Sequence, residues 1–387
     1  MKLNNDPEAN SMNDVALSKI AMKSSSRRSL LRRGMAISLA APLGVPVLQA
    51  AAQTTDHAGM DTGTPIATAG TDMQQGMPSG HDMSPVDVRD AVVVSPDTHG
   101  NQVLEPTIVD GVKEFQLTTS IVRWNILPDV QVGAYAYNEQ VPGPLIRVVA
   151  GDSIRIHVTN KLPEPTSVHW HGLILPNAMD GVAGITQPPI EPGDTFTYEF
   201  IVPNSPGTFF YHSHFAADRQ QTLGLYGAFL IDGVDQPAKT YDQEYIVQLG
   251  EWRIENGQTL PAMELEGMLP NYFTINGKSF PDTDTIRMKV GNTVLIRFIG
   301  TGQFIHPMHI HGGPFTIAAT DGNPVPDVAR LKKDTVLVGP GERYDVLWTA
   351  HEPGKWLIHC HINHHITNNG AEVDGAGGLT MLIDVAP

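Results

Sequence analysis

Ten histidines and one cysteine gather in four short clusters: His169-Trp170-His171-Gly172, His212-Ser213-His214, His306-Pro307-Met308-His309-Ile310-His311, and His359-Cys360-His361 with His365 following. Cys360 is the only cysteine in 387 residues, so no intramolecular disulfide can form. In a strand, residues i and i+2 point to the same face, so each His-x-His pair projects two imidazoles in one direction. A lone strand histidine is more often a satisfied core or surface residue than a ligand, but four such pairs at related positions reverse that balance. Cys360 must face away from His359 and His361, so its sulfur serves one metal while its neighbours serve others on the far side. A thiolate with two imidazoles, here from His306 and His365, is the trigonal donor set of a blue copper electron-transfer site. Structural zinc closes at four ligands and would leave most of these imidazoles unused.

The elements that must hold these clusters are strands. Beyond residue 100 the chain alternates short runs rich in Val, Ile, Thr and aromatics with Pro-Gly and Asp-Gly punctuation, an all-β pattern. It also repeats. Ile146–Ile156 lines up with Ile286–Ile296 at an offset of 140, which carries His169 and His171 onto His309 and His311. Pro206–His214 lines up with Pro353–His361 at an offset of 147. The chain therefore reads as two copies of one β-sandwich, about 105–235 and 240–387. Three correspondences differ chemically: Ser213 stands opposite Cys360, Thr166 opposite His306 and Asp218 opposite His365. Coincident change at three positions points to one site.

The motifs H-x-H-G, H-x-H, H-P-x-H-x-H-G and H-C-H-x3-H, in this order, resemble the multicopper oxidases, the family of laccases and cuprous oxidases; Gly224-Leu225-Tyr226-Gly227 and Asn177–Gly181 resemble further family segments. The resemblance covers about 105–387. It implies two cupredoxin-like Greek-key β-sandwich domains and four coppers per functional unit. Type 1 copper falls on His306, Cys360 and His365, and type 2 on His169 and His309. The type 3 pair falls on His171, His212, His214, His311, His359 and His361. Dioxygen is then the acceptor, reduced to water by electrons that enter at type 1 copper and pass through Cys360. Asp180 matches the family's acid near type 2 copper and is assigned as proton donor, with a turn-forming Asp-Gly as the plain reading. Two departures stand out. An insertion at Asn368–Gly377 leaves the axial position beside type 1 copper to Leu379 or, as second choice, Met381. Ile366 occupies a place where some members carry a proton-relaying acid. His364 is read as a bystander pointing away from the copper, with a place near the electron-donor surface as the alternative.

Most laccases have three such domains, and here there are two. Neither domain can build the trinuclear cluster alone, so an interface must, either within one chain or between subunits of a homotrimer. The reducing substrate is phenolic or a metal ion such as Cu(I); no local motif decides. Met263 and Met268 and the acidic surface lean toward copper handling, with apolar packing as the plain reading of the methionines. The alternatives are a copper nitrite reductase, which needs fewer histidines and keeps its blue site in the first domain, and a non-catalytic cupredoxin scaffold, which should show broken ligand motifs.

The formal charge of −16 argues against nucleic acid as a partner. Residues 1–52 run against that charge, with seven Lys/Arg to three Asp/Glu, which leaves −20 on the rest. Ser26–Arg32, the apolar run Gly34–Ala50 and the following alanines read as an export signal of twin-arginine type, placing the mature protein in the periplasm or outside the cell. The run is short and broken by Pro42 and Pro46, so no membrane insertion is expected. Residues 53–104 read as a disordered Met/His-containing linker and lead-in, in which His57, Met60, Met73, Met77, His81 and Met83 offer soft donors for copper or merely a polar tether.

Overall fold

The computed structural model describes residues 82–387 apart from 204, 236–238, 264–266 and 268. The expected export signal and most of the Met/His linker lie outside the described residues, as does Met268. Four sheets carry the described chain, two in each half. In the first half, Val112–Leu127, Ser153–Asn160 and Thr195–Ile201 lie side by side, with Val92–Val93, Thr107–Val109 and Val130–Tyr137 also on Val112–Leu127. The facing sheet runs Gly143–Val149, Tyr226–Asp232, Gly207–Ser213, Val168–His171.

The second half repeats this plan. Gln243–Glu255, Thr293–Gly300, Arg343–Thr349 and Phe315–Thr320 form the spine of one sheet. The other runs Thr285–Lys289, Thr380–Ala386, Gly354–Cys360, His306–Ile310, Thr335–Val338. Both halves mix parallel with antiparallel pairs in the same places: Gly143–Val149 runs parallel to Tyr226–Asp232, as Thr285–Lys289 does to Thr380–Ala386. The sequence repeat at offset 140 spans the crossing from one sheet to the other. The chain turns there at Gly151 and Gly291, with φ of 87° and 88°, where a Cβ would be strained.

Strict alternation along Ser153–Asn160, every second residue buried, sends Ile154, Ile156 and Val158 into the first core. The second core contains Phe298, Met308, Ile310, Trp348, Ile358 and Cys360 itself. Between the halves, Leu145, Phe210, Ala228 and Leu230 pack with Ile299. Arg147 meets both Asp232 and Glu244 there, and Arg297 meets Glu244 and Asp345. Removing one partner would leave a partly buried charge unmatched, so this network fixes how the halves meet.

The lead-in departs from expectation. Residues 82–104 were expected to be disordered, yet they are fastened to the fold. Val86 and Val94 are buried, and Val92–Val93 pairs with Val122 and Arg123. Burying a valine contributes about 1.5 kcal/mol, which roughly matches the cost of ordering one residue, so two valines alone would not suffice. The remainder comes from hydrogen bonds: Val86 N–H to Thr259 O, Arg123 to Val88 O, and Arg219 to the carbonyls of Asp82 and Ser84.

Candidate metal centres

Strand register decides which way each donor points. His306–Ile310 and Gly354–Cys360 pair antiparallel with Met308 opposite Cys360 and His309 opposite His359. Burial alternates along His306–Ile310, so His306, Met308 and Ile310 face the core while His309 faces outward with His359. The sulfur and the flanking imidazoles therefore lie on opposite sides of one sheet.

On the core side, the donor atoms of His306, Cys360 and His365 all lie within 4.8 Å of one another, and all three residues are buried. Cys360 Sγ is 3.5 Å from His365 Nδ1 and 3.9 Å from His306 Nδ1. The first half holds the counterpart of this site without its donors. Thr166 and Ser213 hydroxyls both donate to Gln220 Oε1, at 2.8 and 2.6 Å, and Gln220 Nε2 in turn donates to the Glu164 carboxylate. The three coincident differences of sequence thus fall in one place in space.

Leu379 is fully buried and ties the site together through its backbone: its carbonyl accepts Cys360 N–H at 3.0 Å and its N–H donates to His365 O at 2.9 Å. Met381 sits two pairing positions further along, opposite Ile358. Met308, which the sequence reading passed over, lies opposite Cys360 on the other neighbouring strand. Ile366 packs against the second core. His364 is exposed, and its ring meets the buried His365 ring edge-on at 4.3 Å, while Phe273 stacks on His365 at 4.2 Å.

On the outward side, the donor atoms of His309, His311 and His359 also fall within 4.8 Å, as do those of His169, His171 and His212 in the first half. His361 and His214 complete the sets, their rings 5.6 Å from His309 and 5.5 Å from His169. Two imidazoles in each half are oriented alike. His169 Nδ1–H donates to Asp180 O and His309 Nδ1–H to Asp334 O, each at 2.7 Å. His212 and His359 Nδ1–H donate to the next carbonyls, Ser213 O and Cys360 O, each at 2.9 Å. Carbonyls so placed fix the tautomer and leave Nε2 free as the donor atom. The carboxylate of Asp180 lies 3.6 Å from His169 Nδ1. Each of the three clusters draws on one half only; among the described residues none combines the two.

Electrostatics suit these groups to metal. Burial holds His212 and His365 at about 3 and, aided by the Arg343 guanidinium, His171 at about 4, so all three are neutral at neutral pH. Burial likewise pushes the Cys360 thiol up to about 12, so a metal must displace its proton. An unfolded chain binds protons on these histidines near 6.5, whereas the folded chain does so only near 3 to 4. The metal-free protein should therefore lose stability as pH falls through that window. Thermal melts of metal-free protein at about pH 7 and about pH 5 should show the lower midpoint in acid; equal midpoints would contradict the burial of these rings.

Fold and site together define a two-half cupredoxin-like protein with one centre of a thiol and two imidazoles and two further imidazole clusters, a donor set that fits copper. Residues 118–236 and 255–371 match multicopper oxidase family domains. The chain is 35% identical over 251 residues to the multicopper oxidase MmcO of Mycobacterium tuberculosis, covering 57% of this chain and 48% of that protein. It is 39% identical over 237 residues to copper resistance protein A of Escherichia coli, covering 59% and 37%. It thus spans about half the length, or less, of these curated relatives. Against the crystal structure of a blue copper oxidase from Nitrosomonas europaea it superposes with a TM-score of 0.65 at 37% identity, covering 71% of this chain and 86% of that one. The chain belongs to the multicopper oxidase family. Membership in that family, and not in the copper nitrite reductases, removes the second enzyme reading.

Proposed function

We propose that this chain is a laccase-like oxidase that takes electrons singly from a small reductant at the His306–Cys360–His365 centre and delivers them to dioxygen at a cluster built from eight imidazoles. Bound copper would supply the one-electron couple at the first centre and the dioxygen-binding, four-electron chemistry at the second. The observation that carries the reading is the register of Cys360 between His359 and His361, which makes three consecutive residues the covalent link between the two centres. His306, Cys360 and His365 are assigned to type 1 copper, with Leu379 at the axial place; its backbone contacts to both ligand segments support it over Met381. His169 and His309 are assigned to type 2 copper, and His171, His212, His214, His311, His359 and His361 to the type 3 pair. Asp180, beside His169, holds the proton for dioxygen reduction.

The four-and-four division of imidazoles supports a homotrimer in which the first half of one subunit faces the second half of its neighbour around a closed ring. The donor approaches where His364 is exposed over His365. Export to the periplasm or beyond fits the leading basic and apolar segment, and among the described residues no helix is long and apolar enough to cross a membrane. The donor is a phenol or Cu(I). Oxygen uptake by the copper-loaded protein with each in turn is expected to show turnover with at least one, and absence of uptake with both would overturn the proposal.

A further inference from the structure

We infer that Glu251 positions His306 and sets the redox poise of the mononuclear centre, a role that rests on the type 1 reading above. Glu251 is 3% exposed, in the buried stretch of the strand Gln243–Glu255. Its Oε1 accepts His306 Nε2–H at 2.6 Å, a distance typical of a charge-assisted hydrogen bond. Its Oε2 accepts Gln303 N–H at 3.1 Å. Both oxygens are thus acceptors, and among the described residues no Lys or Arg pairs with this carboxylate.

The space for it is built into the chain. A Cβ on Gly302 would come within 1.8 Å of Glu251 Oε2, so a side chain there would displace the carboxylate. A buried carboxylate with no cation beside it is strongly disfavoured unless positive charge reaches it some other way. A metal on the far nitrogen of the same imidazole supplies that charge, because ligation polarises the ring and makes Nε2–H a stronger donor.

Two consequences follow. With the hydrogen on Nε2, Nδ1 is the donor atom of His306, and it is the ring nitrogen that stands 3.1 Å from His365 Nδ1 and 3.9 Å from Cys360 Sγ. A negative group bonded to a ligand ring also favours the oxidised, more positive metal. Glu251 therefore lowers the potential of the centre, against the raising influence of an axial leucine that donates nothing.

Glu251→Gln in the copper-loaded holoenzyme keeps the volume and one oxygen acceptor while removing the charge. It is expected to retain copper and the blue absorption while shifting the equilibrium with a one-electron redox partner at least tenfold toward the reduced centre, about 59 mV. A blue Glu251→Gln holoenzyme with unchanged potential would overturn the inference while leaving the type 1 reading intact. Should the variant not fold, nitrogen NMR of wild-type holoenzyme labelled in histidine and held in the reduced, diamagnetic state decides instead. A slowly exchanging His306 Nε2–H is expected, and a His306 without hydrogen on Nε2 would overturn the inference. Wild-type holoenzyme lacking blue absorption would overturn the type 1 reading and this inference with it.

Discussion

Cys360→Ser is expected to fold, to lose the intense blue absorption and to lose oxygen consumption. The chain itself shows that a serine fits, since Ser213 occupies the matching place in the first half within a hydrogen-bonded network. The second half lacks Gln220's counterpart, for the residue at offset 147 is Thr367. The new hydroxyl would therefore cost about 1–3 kcal/mol if left unpaired, too little to explain a folding failure in a core of this size. The functional loss should be far larger. Removing an outer partner of a metal ligand costs about 10–100-fold in affinity or activity, and Cys360 is assigned both as a ligand and as the link between centres. Retained oxygen uptake in a folded Cys360→Ser protein would contradict that link.

The second large effect concerns where the oxygen-reducing cluster forms. His212→Ala disables the first half and His311→Ala the second, so each variant alone should be inactive. Co-expressed, they should recover activity. In a ring where the first half of one subunit faces the second half of the next, random association leaves about a quarter of the interfaces with both halves intact. A cluster formed within one chain offers no such rescue, since every chain carries one defect. Activity near that fraction, with a sedimentation mass of three chains, supports the intersubunit arrangement; no recovery contradicts it.

Much of this was legible in the sequence because period-two geometry is local. The His-x-His pairs, the opposition of Cys360 to His359 and His361, and the repeat at offsets 140 and 147 need no knowledge of distant contacts. What escaped depends on residues far apart. Glu251 and His306 are separated by 55 positions, and the only local signal was an acid inside the buried run Val247–Trp252. Asp334 reaches His309 through its backbone carbonyl, which no side-chain motif records. Met308 was hidden inside a histidine motif where it reads as a spacer, although pairing places it opposite Cys360. Strand alternation from Cys360 would turn His365 away from the sulfur, and it is the short 3-10 turn at Asn363–Ile366 that buries His365 and leaves His364 exposed. The lead-in was read as linker on composition, and its order comes from a strand edge and two arginines that composition cannot reveal.

The electron balance tests the central claim most directly. With the purified, copper-loaded protein and a one-electron donor, donor oxidised and dioxygen consumed are measured together, with peroxide assayed in the same vessel. The account predicts four donors oxidised for each dioxygen and no peroxide. A ratio of two with peroxide accumulating, or donor oxidation without oxygen uptake, would contradict it.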